Sequence, residues 1–159
     1  MHCLSGYSRV ALLLIVVLLV LCVVLPSWVA SRRVHRCFVA RKIREHTAYK
    51  RLWQIKQFLC IIDMVSNFNI SLAVLRSNGQ RTVGIFQFPS KWYCVDKIKG
   101  EGRAGKCHQL CEAFLDEDLV NDVRCASIAT NQYGFRFWKG WEDRCFLRNI
   151  DHYLEGCAL

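Results

Sequence analysis

Apolar and polar residues recur at three different periods along this chain, and each period predicts a different kind of element. Val10 to Leu25 is an unbroken apolar run, preceded by Arg9 and followed by Pro26, Ser27, Trp28, Val29, Ala30 and Ser31. From Cys37 onward apolar residues return at helical spacing among Arg41, Lys42, Arg44 and Glu45, which predicts a short amphipathic helix. Ile55, Phe58, Leu59, Ile62 and Val65 then form one stripe of a clearer second helix. Between Leu72 and Phe88 the period shortens, with β-formers on both sides of Asn78-Gly79, and a hairpin is expected there. Helical spacing resumes after Cys111 through Leu119, Val123 and Ala126, with Asp116, Glu117 and Asp118 near the predicted start, where the helix dipole favours acids. Near the end, Trp138 and Trp141 stand three apart on one helical face. Helices, a small sheet and helices again predict an α+β domain: a helical lobe, a small antiparallel β lobe and a cleft between them.

The ends and the cysteines narrow the setting. A basic start, an apolar middle and a small-residue exit read as a secretory signal peptide over residues 1–31, leaving a domain at 32–159. The competing reading is a retained signal anchor. The run is shorter than the ~20 residues of a spanning helix, although Trp28 and Val29 extend it. Arg32, Arg33 and Arg36 would hold that flank in the cytoplasm if the segment stayed in the membrane. Cysteine usage points outward instead. Of ten cysteines, Cys3 and Cys22 fall in the leader; Cys37, Cys60, Cys94, Cys107, Cys111, Cys125, Cys145 and Cys157 remain. An even set in a short secreted chain implies a disulfide framework. Zinc is the rival, and a lone C-x3-C at Cys107 and Cys111 supports it poorly. The formal net charge of +9, lowered by one when Arg9 leaves with the leader, favours anionic partners such as bacterial surfaces, acidic glycans or membranes. Nothing in the pattern points to nucleic acid, and a monomer is expected.

The cysteine order, the phrase VGIFQFPSKWYC, the segment GKCHQLCEAFLDEDLVNDVRCA and the ending WKGWEDRC together resemble a C-type lysozyme. The resemblance covers residues 36 to 157 and identifies the chain as a member of the C-type lysozyme and α-lactalbumin family, glycoside hydrolase family 22. It implies a two-lobe fold with four disulfides: Cys37–Cys157, Cys60–Cys145, Cys94–Cys111 and Cys107–Cys125. The family activity is peptidoglycan hydrolysis. Retaining glycosidases usually need two carboxyl groups about 5 Å apart, one protonated and one ionised; lysozyme is itself the standard example of that division of roles. The resemblance places the acid five residues after the second cysteine, where this chain has Val65. It places the second carboxylate two residues before the glycine of the G-I-F-Q phrase, where Thr82 stands before Gly84. Residues 64 to 95 contain no Asp or Glu. Asp63 lies roughly 200° around the helix from Val65, and Asp96 lies beyond Cys94, so neither replaces the missing pair. The expectation is a catalytically inactive protein, with Val65 as an ordinary core residue.

The resemblance further implies that Trp92, Tyr93, Trp138, Asn69 and Gln87 face a saccharide, so that non-catalytic binding of peptidoglycan, chito-oligosaccharides or a bacterial surface is expected, with a role in innate immunity. Trp138 and Trp141 also read simply as core. Pro89 stands where the family offers a backbone N–H to a sugar acetamido group, and proline has none. Asp116, Asp118, Asn121 and Asp122 resemble the calcium loop of α-lactalbumin, with Asn121 in place of an Asp and the Ala113 carbonyl completing the set. The alternative is a helix start decorated with acids and no cofactor. Asn69-Ile70-Ser71 is a glycosylation sequon. Besides glycan binding, a protein-interaction module in the manner of α-lactalbumin and a working muramidase remain open.

Overall fold

The computed structural model of the chain describes residues 11, 13–17, 32–95 and 105–159. The chain divides into two compact units, Met1–Ala30 and Ser31–Leu159. In the first, the described residues are helical; most of the predicted leader, and Asp96, lie outside the described residues. No helix among the described residues is long and apolar enough to cross a membrane.

The second unit begins with helix α1, Arg36–His46, whose Val39, Ala40 and Ile43 are buried at helical spacing. The His35 ring caps its start by accepting from the Cys37 amide at 3.3 Å. Thr47 ends it, donating its hydroxyl to the Ile43 carbonyl at 2.7 Å. Helix α2, Leu52–Ser66, buries Ile55, Phe58, Leu59 and Ile62, the stripe read from the sequence. Val65 departs from that stripe: it is only half-buried and packs at the edge of the core. Asn67, at φ 49°, stops the helix in the left-handed conformation that asparagine tolerates.

The hairpin is shorter than the apolar pattern predicted. Strands β1, Ala73–Leu75, and β2, Arg81–Val83, pair antiparallel in the register Val74↔Thr82, around a loop containing Asn78 and Gly79. Gly79 takes φ 75°, which is why glycine sits there. Strand β3, Phe88–Pro89, adds to β2 with Thr82↔Pro89. The intervening turn is fixed by Gly84, since a Cβ there would lie 2.5 Å from the Phe114 carbonyl oxygen. A four-residue helix, α3 (Ser90–Tyr93), leads into β4, Cys94–Val95, which pairs parallel with β5, Gln109–Leu110.

Helix α4 runs Val120–Tyr133 and packs against α1. It starts later than the acids predicted. Asp116 and Asp118 instead close turns before it, accepting from the amides of Asp118 at 2.8 Å and Val120 at 3.1 Å. A last short helix, α5, spans Trp141–Arg144. Four disulfides join Cys37 to Cys157, Cys60 to Cys145, Cys94 to Cys111 and Cys107 to Cys125, the pairing implied by the resemblance. Each typically stabilises by ~2–4 kcal/mol. A continuous aromatic cluster fills the core. Phe58 meets Phe86 and Trp138 edge-on, and Phe88 stacks on Phe86 and Tyr93. Burying each such ring contributes ~1.5–3 kcal/mol.

Candidate functional site

The two positions at which the resemblance implies carboxylates, Val65 and Thr82, have different surroundings. Val65 lies in the last turn of α2 and presents an isopropyl group. Thr82, in the centre strand of the sheet, is 3% exposed, and its hydroxyl donates to the Gln87 side-chain oxygen at 2.8 Å. The Gln87 amide nitrogen in turn donates to the carbonyls of Leu72, at 2.9 Å, and Gly84, at 2.8 Å. The sequence dictates this local closure: the Gly84–Gln87 turn carries the backbone through φ 53° at Gln87 and folds its side chain back onto the sheet. The result is a satisfied polar network in which hydroxyl and amide hold the hairpin together. The nearest acid in sequence, Asp63, points elsewhere and accepts the Tyr153 hydroxyl at 2.7 Å. Burial, then Asp63, pushes the Tyr153 phenol upward, which keeps it a donor.

Of the residues assigned to ligand contact, only Trp92 is an open aromatic face, at 54% exposure. It borders a groove of about 600 Å³ with Pro89, Tyr93, Lys106, Tyr133, Arg136 and Phe137, within the range of ligand-sized clefts. Tyr93 is only 2% exposed. It is buried between Phe88 and Phe137, and its hydroxyl has no hydrogen-bond partner among the described residues. Burial, then the neighbouring Tyr133, pushes its phenol up to about 12. Trp138 is 4% exposed, donates its indole N–H to the Phe86 carbonyl at 3.0 Å and packs in the core. Trp141 is core as well, donating to the Gln57 side-chain oxygen at 2.6 Å. Gln87 is likewise an interior brace. Asn69 is half-buried, and its side-chain oxygen accepts from the amide and hydroxyl of Ser71, both at 3.0 Å. Lys106, Tyr133, Arg136 and Phe137 were not singled out from the sequence. The alternation YGFRFW held a signal, but its meaning depends on the turn at Gly134 that aims it.

The acidic elbow is held together by hydrogen bonds of its own. Asn121 donates its amide N–H to the Ala113 carbonyl at 2.5 Å, so two expected oxygen ligands are replaced by a donor–acceptor pair. Asp116 and Asp118 each use an oxygen to hold a backbone amide. No group of three or more His, Cys, Asp or Glu that could hold a metal occurs among the described residues. Asp122 is 1% exposed, and among the described residues neither carboxylate oxygen has a partner within hydrogen-bond distance and geometry. Burial first, and the charge of Asp116 second, raise its carboxyl well above the usual range and favour the neutral acid.

Helices and a small antiparallel sheet, fastened by four bridges, define a disulfide-stapled α+β domain of the lysozyme-like class. The model of the C-type lysozyme/alpha-lactalbumin family matches residues 32–157, and the chain belongs to that family. It is 31% identical over 147 residues to lysozyme C-3 of Sus scrofa, covering 89% of this chain and 98% of that one. It is 32% identical over 131 residues to lysozyme C of Trichosurus vulpecula, covering 81% and 88%. Against the milk isozyme of lysozyme C from Canis lupus familiaris it is 31% identical over 127 residues, covering 78% and 97%.

Proposed function

We propose that this chain is a secreted lysozyme-like protein that binds glycans of microbial surfaces, peptidoglycan or chito-oligosaccharides among them, without cutting them. The observation that carries the reading is the pair Val65 and Thr82. Glycoside cleavage needs a proton donor and an anion facing each other. Val65 has no proton to give, and the Thr82 hydroxyl is neutral and engaged with Gln87. General acid catalysis alone contributes ~10²–10⁴-fold, and a second carboxylate is wanting too. What remains is a face suited to adhesion: the exposed Trp92 ring at the lip of an aromatic groove. Pro89, with no N–H, shifts recognition away from the acetamido contact that the resemblance implies. The disulfides support an extracellular setting, since such bridges persist where thiols are oxidised. Residues 1–31 serve as the cleaved leader in this reading, and calcium has no part in it.

Turbidity of a cell-wall suspension and a peptidoglycan pull-down, run on one refolded sample, test the proposal. It predicts retention on the wall, no clearing, and loss of retention in Trp92→Ala. Clearing abolished by a cleft substitution would instead restore the muramidase reading. A protein-interaction module is the second reading, favoured by exposed Leu52 and Trp53 at the start of α2. A protein complex that persists in excess saccharide, and is lost in Trp53→Ala, would identify it.

A further inference from the structure

The groove beside Trp92 carries more positive charge than a neutral sugar requires. Among the described residues its lining includes two cations, Lys106 and Arg136, and no carboxylate. Lys106 is fixed from several directions. Its ammonium donates to the Gln132 side-chain oxygen at 2.8 Å and to the Tyr133 hydroxyl at 2.6 Å. It also stands 4.7 Å from the Tyr133 ring centroid and 5.7 Å from that of Tyr93. These partners are all neutral, so they orient the charge without cancelling it. Arg136 donates from Nε to Glu142 at 2.6 Å, while 75% of its side chain stays exposed. The Lys91 ammonium, 5.1 Å from the Trp92 ring centroid, adds a third charge at the rim.

We infer that this groove selects acidic saccharides: a hexuronate ring lies along Trp92 while its carboxylate meets Lys106 and Arg136. The inference rests on the glycan-binding reading above and adds a substrate class to it. The chemistry is complementary. An indole or phenol face covers the C–H face of a pyranose, a guanidinium offers a planar fork to a carboxylate, and an ammonium supplies a point charge. Preordering matters because a side chain already held by its neighbours loses little freedom on binding. Exposed charges act through solvent, so the preference is modest rather than absolute.

Titration calorimetry with tetragalacturonate and with its fully methyl-esterified form separates charge from ring stacking, because the two differ only in the masked carboxylates. The wild-type protein is expected to bind the acid about tenfold more tightly, equivalent to about 1.4 kcal/mol. Lys106→Gln combined with Arg136→Gln should bring the ratio of acid to ester affinity close to one. Arg41→Gln combined with Arg44→Gln, which removes equal charge from a different cavity, should leave the ratio intact. Equal affinity of wild type for acid and ester would overturn this inference and leave glycan binding standing. So would a ratio that falls as far in the Arg41/Arg44 variant, since net charge would then be the cause. Binding of neither saccharide, nor of peptidoglycan, would sink both readings.

Discussion

The centre of the family cleft and the groove beside it use their polar groups in opposite ways. At the centre, Thr82, Gln87, Leu72 and Gly84 satisfy one another and leave little for a ligand. In the groove, Trp92 offers an open ring, Lys106 is held only by neutral partners among the described residues, and Arg136 stays exposed beside Glu142. Polar groups bonded internally stabilise a fold, whereas polar groups held in place but still exposed can recognise something. In the proposed non-catalytic protein, the first region therefore serves as scaffold and the second as the binding face.

Substitutions can break this contrast, and the largest effect is expected from Trp138→Ala. If that ring is core, urea denaturation will show a loss of about 3–5 kcal/mol, with groove affinity in the surviving folded fraction unchanged. Thr82→Val is expected to cost about 1–3 kcal/mol in the same assay, because the Gln87 oxygen loses its buried donor. Asp122→Asn works in the stabilising direction. The folded carboxyl binds its proton more tightly than the unfolded chain does, because burial and then Asp116 raise it. Stability at this site is therefore complete below the ordinary carboxylate range near ~4 and declines as pH rises towards the elevated folded value. Removing the charge should flatten that decline and raise the neutral-pH melting temperature by about 4 °C, for roughly 1 kcal/mol. Added calcium should leave the wild-type melting temperature where it was. Trp92→Ala is expected to change stability by less than about 0.5 kcal/mol, as surface changes do, while weakening saccharide binding about tenfold by calorimetry. A large stability loss there would erase the distinction between the two regions.

Much of the scaffold is legible in the sequence because it obeys periodic rules. The α2 stripe, the Asn78-Gly79 turn and the segregation of helices from sheet all follow from hydrophobic spacing and turn chemistry. The disulfide pairing does not; eight cysteines allow about 105 pairings, and only the family resemblance singles out this one. The site was half legible. The identities of Val65 and Thr82 can be read directly, yet hydrophobic spacing does not reveal that Gln87 folds back onto Thr82, because that depends on the left-handed backbone at Gln87, φ 53°. Trp138 looks equally suited to core or cleft until its N–H is seen to reach Phe86, 52 residues away. Lys106 and Arg136 belong to separate segments, and only the tertiary fold brings them to one groove. The acidic elbow shows the same dependence: four oxygen-bearing residues sit at suitable spacing, and only the fold shows that the Asn121 amide meets the Ala113 carbonyl.

The most direct measurement is the release of soluble muropeptides from purified peptidoglycan incubated with the wild-type protein, followed by mass spectrometry. Binding without cleavage predicts protein carried down with the insoluble wall and no release above buffer. Sustained release proportional to enzyme concentration and time would contradict the account, for it would require an acid and an anion that neither Val65 nor Thr82 provides.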